Sequence, residues 1–215
     1  MATLVVAVDG AAGSGKSTLA RSLARELAMP YVNTGLMYRA LAAAAARASV
    51  DVNDEGSLLT LARGLRFRLG GELPEELEVD GYDLSELTSG GVESTVSAVA
   101  RHPGVRRWMC QCQRQLGAGG AVVEGRDIGT VVFPDADVKF FLKADAEVRV
   151  ARRADQRSVP SEDVDAALRT RDERDARTTP LEPAADAIVI DSGALGIDET
   201  LQEALKIVAA RGGSS

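Results

Sequence analysis

One stretch near the start of the chain constrains its fold more than any other. Leu4-Val5-Val6-Ala7-Val8 is continuously apolar and β-branched, as in a parallel strand covered on both faces. Gly10-Ala11-Ala12-Gly13-Ser14-Gly15-Lys16-Ser17 follows, and Leu19, Leu23 and Leu27 then recur at helical spacing to about Ala28. Strand, glycine loop and helix open a βαβ unit. The loop satisfies G-x-x-x-x-G-K-[ST] at every required position. Its glycines let successive backbone N–H groups converge on phosphate oxygens, and the helix beginning near Lys16 adds its N-terminal dipole. Lys16 is placed for the β- and γ-phosphates, and the Ser17 hydroxyl for Mg²⁺. A ligand-free glycine turn is the plain alternative, but a buried strand before the loop and a helix after it argue against that. The candidate ATP-binding residues are thus Gly10, Ala11, Ala12, Gly13, Ser14, Gly15, Lys16, Ser17 and Thr18.

The rest of the chain continues the pattern. Tyr31-Val32-Asn33, Ala121-Val122-Val123, Val138 to Leu142 and Ile188-Val189-Ile190 read as further core strands. Helical spacing recurs over 36–48, 93–100, 105–116 and 197–210, and from Asp145 to about Arg177. Between about 51 and 91, glycines and Pro74 cut the chain into short pieces. Leu65 to Leu69 alternates with period two, as in a half-exposed antiparallel strand, with Leu77-Glu78-Val79 as its partner. The expectation is one α/β domain over 1–215, a five-stranded parallel sheet with helices on both faces and a small insertion at about 51–91.

Composition narrows the function. A formal net charge of −7 and 4% aromatics exclude a broad basic face or a base-stacking platform, so no nucleic-acid polymer is expected as partner. The first apolar run is too short for a signal peptide, and the alanine run 42–46 is bracketed by Arg39 and Arg47, so no membrane segment is expected. Cys110 and Cys112, two apart on a helix, point to different faces and suit neither a shared metal nor a disulfide. Reduced thiols fit a cytoplasmic protein. His102 carries no assigned role, and Trp108 reads as core.

A P-loop alone leaves switch GTPase, ATPase and small-molecule kinase open. No D-x-x-G occurs, and Leu142-Lys143-Ala144-Asp145 lacks the side chain that a guanine-reading N/T-K-x-D needs at its first position. Arginine favours a kinase. Eight arginines fall between Arg149 and Arg177, interleaved with seven acidic residues. Joining two phosphate chains requires neutralising them, which arginine forks do well, and a lid closing over them excludes water. A plain solvated helix pair is the alternative. The lid is set at about 149–177, with Arg152 and Arg153 as candidates to cover the transferring group.

Several motifs resemble a known family. Asp9-Gly10, Thr34-Gly35-x-x-Tyr38-Arg39, Val79-Asp80-Gly81-x-Asp83, Gly125-Arg126-Asp127-Ile128-Gly129-Thr130, Arg171-Asp172-x-x-Asp175 and Pro183 to Ala187 look like the bacterial cytidylate kinases. The G-R-D-I-G-T block is the most specific part, and the resemblance runs from about Leu4 to Leu205. It implies a P-loop nucleoside-monophosphate (NMP) kinase fold, with 51–91 as the NMP-binding insertion. It implies transfer from MgATP to CMP or dCMP, with Thr34, Tyr38, Arg39 and Arg126 on the acceptor phosphate. Ser97, Arg106 and Asp127 then match the cytosine contacts, and Arg171 and Asp175 the ribose contacts. The acceptor phosphate is itself the nucleophile, so no general base is needed, and Lys16, Arg39, Arg126, Arg152 and Arg153 form the catalytic set. Arg177 is carried as a further CMP-binding candidate that reaches phosphate from a tightened loop, although it departs from the family pattern by following Asp175 by two residues where three are usual. The protein is expected to act as a monomer. The rival expectations are a kinase of UMP, AMP or another metabolite, and a nucleotide-dependent switch.

Overall fold

The computed structural model describes residues 3–72, 74–157 and 181–212, with Arg153 and residues 155–157 by backbone alone. β1 (Val5–Gly10) runs through the interior of a seven-stranded sheet, where Val6, Ala7 and Val8 lose all contact with water. α1 (Lys16–Glu26) follows the glycine loop and ends where Ala28 turns to positive φ ahead of Pro30. β2 (Tyr31–Asn33) leads into α2 (Thr34–Arg47), whose buried alanines 42–45 allow close packing on neighbouring helices.

The segment expected as short pieces contains a full helix. α3 (Glu55–Gly64) is capped by Asp54, whose carboxylate accepts from the Ser57 N–H at 3.2 Å and the Ser57 hydroxyl at 2.6 Å. The D-x-x-S cap was legible in the sequence, but the frequent glycines obscured it. β3 (Phe67–Gly70) and β4 (Glu76–Val79) form the expected antiparallel hairpin. α4 (Leu84–Leu87), α5 (Gly90–Ala100) and α6 (Pro103–Gly117) follow, the last entered through proline at its first position. The chain then builds β5 (Ala121–Gly125), a π-helical turn (Ile128–Val132), β6 (Val138–Lys143), α7 (Ala146–Arg157), β7 (Ile188–Asp191) and α8 (Ile197–Gly212).

The strand order is β3-β4-β2-β5-β1-β6-β7, with β3 alone antiparallel to its neighbour. The five expected strands are all present and parallel. The sheet is wider than expected because β4 pairs with β2 at Tyr31 and Glu76, which annexes the hairpin to the sheet edge. Alternation along the strands divides the core. Val6, Val8, Tyr31 and Val122 pack on one face with Leu19, Leu23, Ala204 and Val208 of α1 and α8. Ala7, Val32 and Val123 pack on the other with Ile128 and Val132. A third cluster joins α2 through α6 to the hairpin. Cys110 and Cys112 are free thiols that pack against different clusters, as their spacing required.

Candidate active site

The site lies where the carboxyl ends of β1, β2 and β5 meet, the edge at which α/β sheets bind ligands. The P-loop is held open by backbone geometry. Gly13 and Gly15 take φ values of 77° and 86°, a region side chains with a Cβ rarely enter, and Gly15 caps α1. α7 comes down directly on this loop: a Cβ at Gly13 would stand 3.0 Å from the Arg149 carbonyl oxygen. Arg149 Nη1 donates to the Ala12 carbonyl at 3.2 Å, and Lys16 Nζ to the Ala11 carbonyl at 3.3 Å. Arg152 Nη2 donates to the Ser192 carbonyl at 2.5 Å, and the Ser192 hydroxyl reaches the Ser14 carbonyl at 2.7 Å. Two arginines from the expected lid thus stand at the donor loop in the same chain.

Across the cleft lie the expected acceptor residues. A continuous cavity of about 550 Å³ is lined by Lys16 and Ser17 at one end and by Thr34, Tyr38, Arg39, Ser97, Arg106, Arg126 and Asp127 at the other. Thr34 does not cap α2 with its side chain. Its hydroxyl donates to the Glu124 carbonyl at 2.8 Å, which joins the start of α2 to the end of β5. Asp127 likewise makes no cap bond; its Oδ2 sits 2.5 Å from Arg106 Nη2. Arg39 approaches Glu93 at 3.5 Å and the Leu87 carbonyl at 3.4 Å. Tyr38 is held beside Gln113 and Arg106, and burial pushes its phenol well above the usual range, so it remains a neutral donor. Arg171, Asp175, Arg177 and the side chain of Arg153 lie outside the described residues.

Two carboxylates at strand ends have opposite assignments. Asp9 is turned away from the cleft and accepts from the Ile128 and Gly129 N–H groups, each at 2.8 Å. Burial pushes its carboxyl up to about 6, against those two bonds, which lower it. Glu124, at the end of β5, is 2% exposed and lines the cleft. Its Oε1 accepts from the Ser17 hydroxyl and from the Tyr31 phenol, both at 2.9 Å. Its Oε2 is buried with no hydrogen-bond partner among the described residues. A bare carboxylate oxygen beside the Ser17 hydroxyl fits a cation arriving with nucleotide phosphates. Among the described residues no group of three or more His, Cys, Asp or Glu could hold a metal.

Sequence reasoning left Glu124, Tyr31, Gln113, Arg149 and Ser192 unassigned. The signal for Glu124 was an acidic residue closing an otherwise apolar strand. Those for the other four are tertiary. His102, given no role, donates from Nε2 to the Val52 carbonyl at 2.7 Å and ties the start of α6 to the segment before α3, and Trp108 donates to the Ala62 carbonyl at 3.2 Å and braces α6 against α3.

Comparison with known proteins decides among phosphate-binding folds. The family model described as cytidylate kinase matches residues 6–210, which contain the whole site. The chain belongs to the cytidylate kinase family. It is 45% identical over 199 residues to a cytidylate kinase of Thermus thermophilus, covering 92% of this chain and 94% of that protein. A cytidylate kinase of Rhodococcus opacus is 40% identical over 222 residues, covering 98% and 97%. Among solved structures, an uncharacterised protein from Eubacterium ventriosum superposes with a TM-score of 0.57 at 13% identity, covering 97% of this chain and all of that one, a likeness of fold alone. Membership of the cytidylate kinase family makes the chain a phosphotransferase.

Proposed function

We propose that the protein is a cytidylate kinase in the strict sense, transferring the γ-phosphoryl of MgATP to CMP or dCMP and releasing ADP with CDP or dCDP. The observation that carries the reading is the single cleft that joins the P-loop to Arg39, Arg126 and the Arg106–Asp127 pair. Lys16 and the loop amides hold the donor phosphates. Arg39 and Arg126 draw in the acceptor phosphate and offset its charge. An oxygen of that phosphate attacks the γ-phosphorus while the bond to the β-phosphate oxygen breaks, so catalysis is positioning and charge neutralisation. Mg²⁺ entering with ATP would be held by the Ser17 hydroxyl with Glu124 behind it, and it would supply charge compensation to the phosphates.

Asp127 reads the acceptor base. A carboxylate accepts from the exocyclic amine of cytosine and repels the oxygen that uracil carries there, and the contact with Arg106 holds that carboxylate in place. We read 51–91 as the acceptor-side insertion, since Leu84 and Thr88 close that end of the cleft. The lid reading of 149–177 is supported by Arg149 and Arg152, which already touch the donor loop or its support. We take the protein to act as a monomer, and no helix of the described residues is long and apolar enough to cross a membrane. We place the protein in the cytoplasm, where its substrates are.

The test is ADP release from MgATP with CMP, dCMP, UMP, AMP or GMP as acceptor. Strong release with CMP or dCMP, weak release with UMP and little with purines is expected. Stimulation by AMP or GMP equal to that by CMP would overturn the reading of the base pocket. No stimulation by any monophosphate would return the chain to the switch class.

A further inference from the structure

A buried tyrosine next to the donor site has no part in the scheme above. Tyr31 pairs with Val122 in the sheet register, and Asn33 with Glu124, so Tyr31, Val122 and Glu124 share one face. The Tyr31 ring is fully buried among the residues under α1, and only its phenol oxygen has polar business, with Glu124 Oε1. The Ser17 hydroxyl reaches the same Oε1 from α1. Two donors from different elements converge on one oxygen, which fixes the rotation of the carboxylate about its last torsion. The other oxygen, Oε2, is buried and has no hydrogen-bond partner among the described residues, on a side chain that lines the cleft. Ser17 spends its proton on Glu124, so its lone pairs are free to face the cleft.

We infer that Tyr31 is a positioning residue for the divalent cation that accompanies the nucleotide: its phenol locks Glu124 so that Ser17 and Glu124 Oε2 present oxygens to one point. The lock is itself braced. Arg21 lies over the Tyr31 ring, 5.2 Å from its centroid, and grips Glu76 of β4 through two hydrogen bonds of 2.8 and 3.2 Å. Because Glu76 is the residue paired with Tyr31, the hairpin edge and the cation site share one rigid contact. Without the phenol, Glu124 keeps one donor, and a buried carboxylate with a single partner turns to find others.

The inference rests on the MgATP reading of the donor site and not on the identity of the acceptor. Its test is therefore metal binding in the absence of any acceptor. Mn²⁺ is titrated into the protein–ADP complex and free Mn²⁺ is followed by electron paramagnetic resonance, for the native chain, Tyr31→Phe, Glu124→Gln and the double variant. Tyr31→Phe is expected to weaken Mn²⁺ binding roughly ten-fold, the loss of one hydrogen bond to a charged group. ADP affinity measured in a chelator should stay within about two-fold, since a lost phenol acts on the cation and not on the phosphates. Glu124→Gln should weaken Mn²⁺ at least as much, and adding Tyr31→Phe to it should cost nothing further, because the phenol works only through that carboxylate. Native Mn²⁺ affinity in Tyr31→Phe overturns the inference, and so does a Tyr31→Phe loss that persists undiminished in the Glu124→Gln background. A wrong acceptor assignment would show instead as absent CMP-stimulated ADP release by the native chain, with these titrations unaffected.

Discussion

Asp127 and Arg106 face each other at 2.5 Å in a part-buried end of the cleft, where a lone charge is costly. Removing the carboxylate takes away the ion pair with Arg106 and, on the proposed function, the group that accepts from the cytosine amine. Asp127→Ala should therefore lower kcat/KM for CMP by about 10- to 100-fold, the range for a hydrogen bond to a charged group, while KM for ATP stays close to native. Steady-state kinetics with each substrate varied in turn checks this, and equal damage to both substrates would make Asp127 structural. Lys16→Ala should show the opposite division. Its amine stands in the P-loop beside the Ala11 carbonyl, so turnover should fall by orders of magnitude with the thermal transition preserved.

The elements meet with little slack at the end of β5. A Cβ on Gly125 would stand 2.6 Å from Ile128 Cδ1 and 2.7 Å from Thr34 Oγ1. Gly125→Ala must displace both the π-helical turn that carries Asp127 and the Thr34 hydroxyl bonded to the Glu124 carbonyl. Overpacking of this kind costs about 1–3 kcal/mol. Calorimetry should show a lower Tm, and CMP use should fall with it because Asp127 and Thr34 both shift. An unchanged Tm would mean that strand and turn separate more easily than their packing indicates.

Across the whole molecule, Asp9 clamps β1 to the turn after β5, two segments more than a hundred residues apart in the chain. Its carboxyl is raised to about 6, with burial the main cause. In the unfolded chain the same group titrates near 3.8, so between these values the native state binds more protons and stability falls as pH rises. The full change from this one group is about 3 kcal/mol between pH 4 and pH 6. Asp9→Asn removes the titration and places an amide against two N–H donors, so the variant should be less stable overall. In urea melts at pH 4, 5, 6 and 7, native stability minus variant stability should shrink as pH rises; a gap that widens would reverse the sign of the Asp9 contribution.

Local pattern was enough to identify each core strand and the P-loop, because periodicity and glycine placement are properties of consecutive residues. It was enough for the helix N-terminus at Lys16, while the residues named for the acceptor came from the family resemblance, and those described share one cleft in the fold. It missed α3, where repeated glycines outweighed a sound Asp54 cap, and it left the hairpin apart from the sheet. The pairing of Tyr31 with Glu76 crosses some forty-five residues, and nothing local encodes it. The same holds for the two strand-end acids. Asp9 and Glu124 read alike in the sequence, each closing an apolar strand. Only the placement of β5 between β1 and β2 turns Asp9 onto the Ile128 and Gly129 amides and Glu124 onto Ser17 and Tyr31. Residue types were settled along the chain, but which carboxylate lines the cleft depended on neighbours brought in from distant strands.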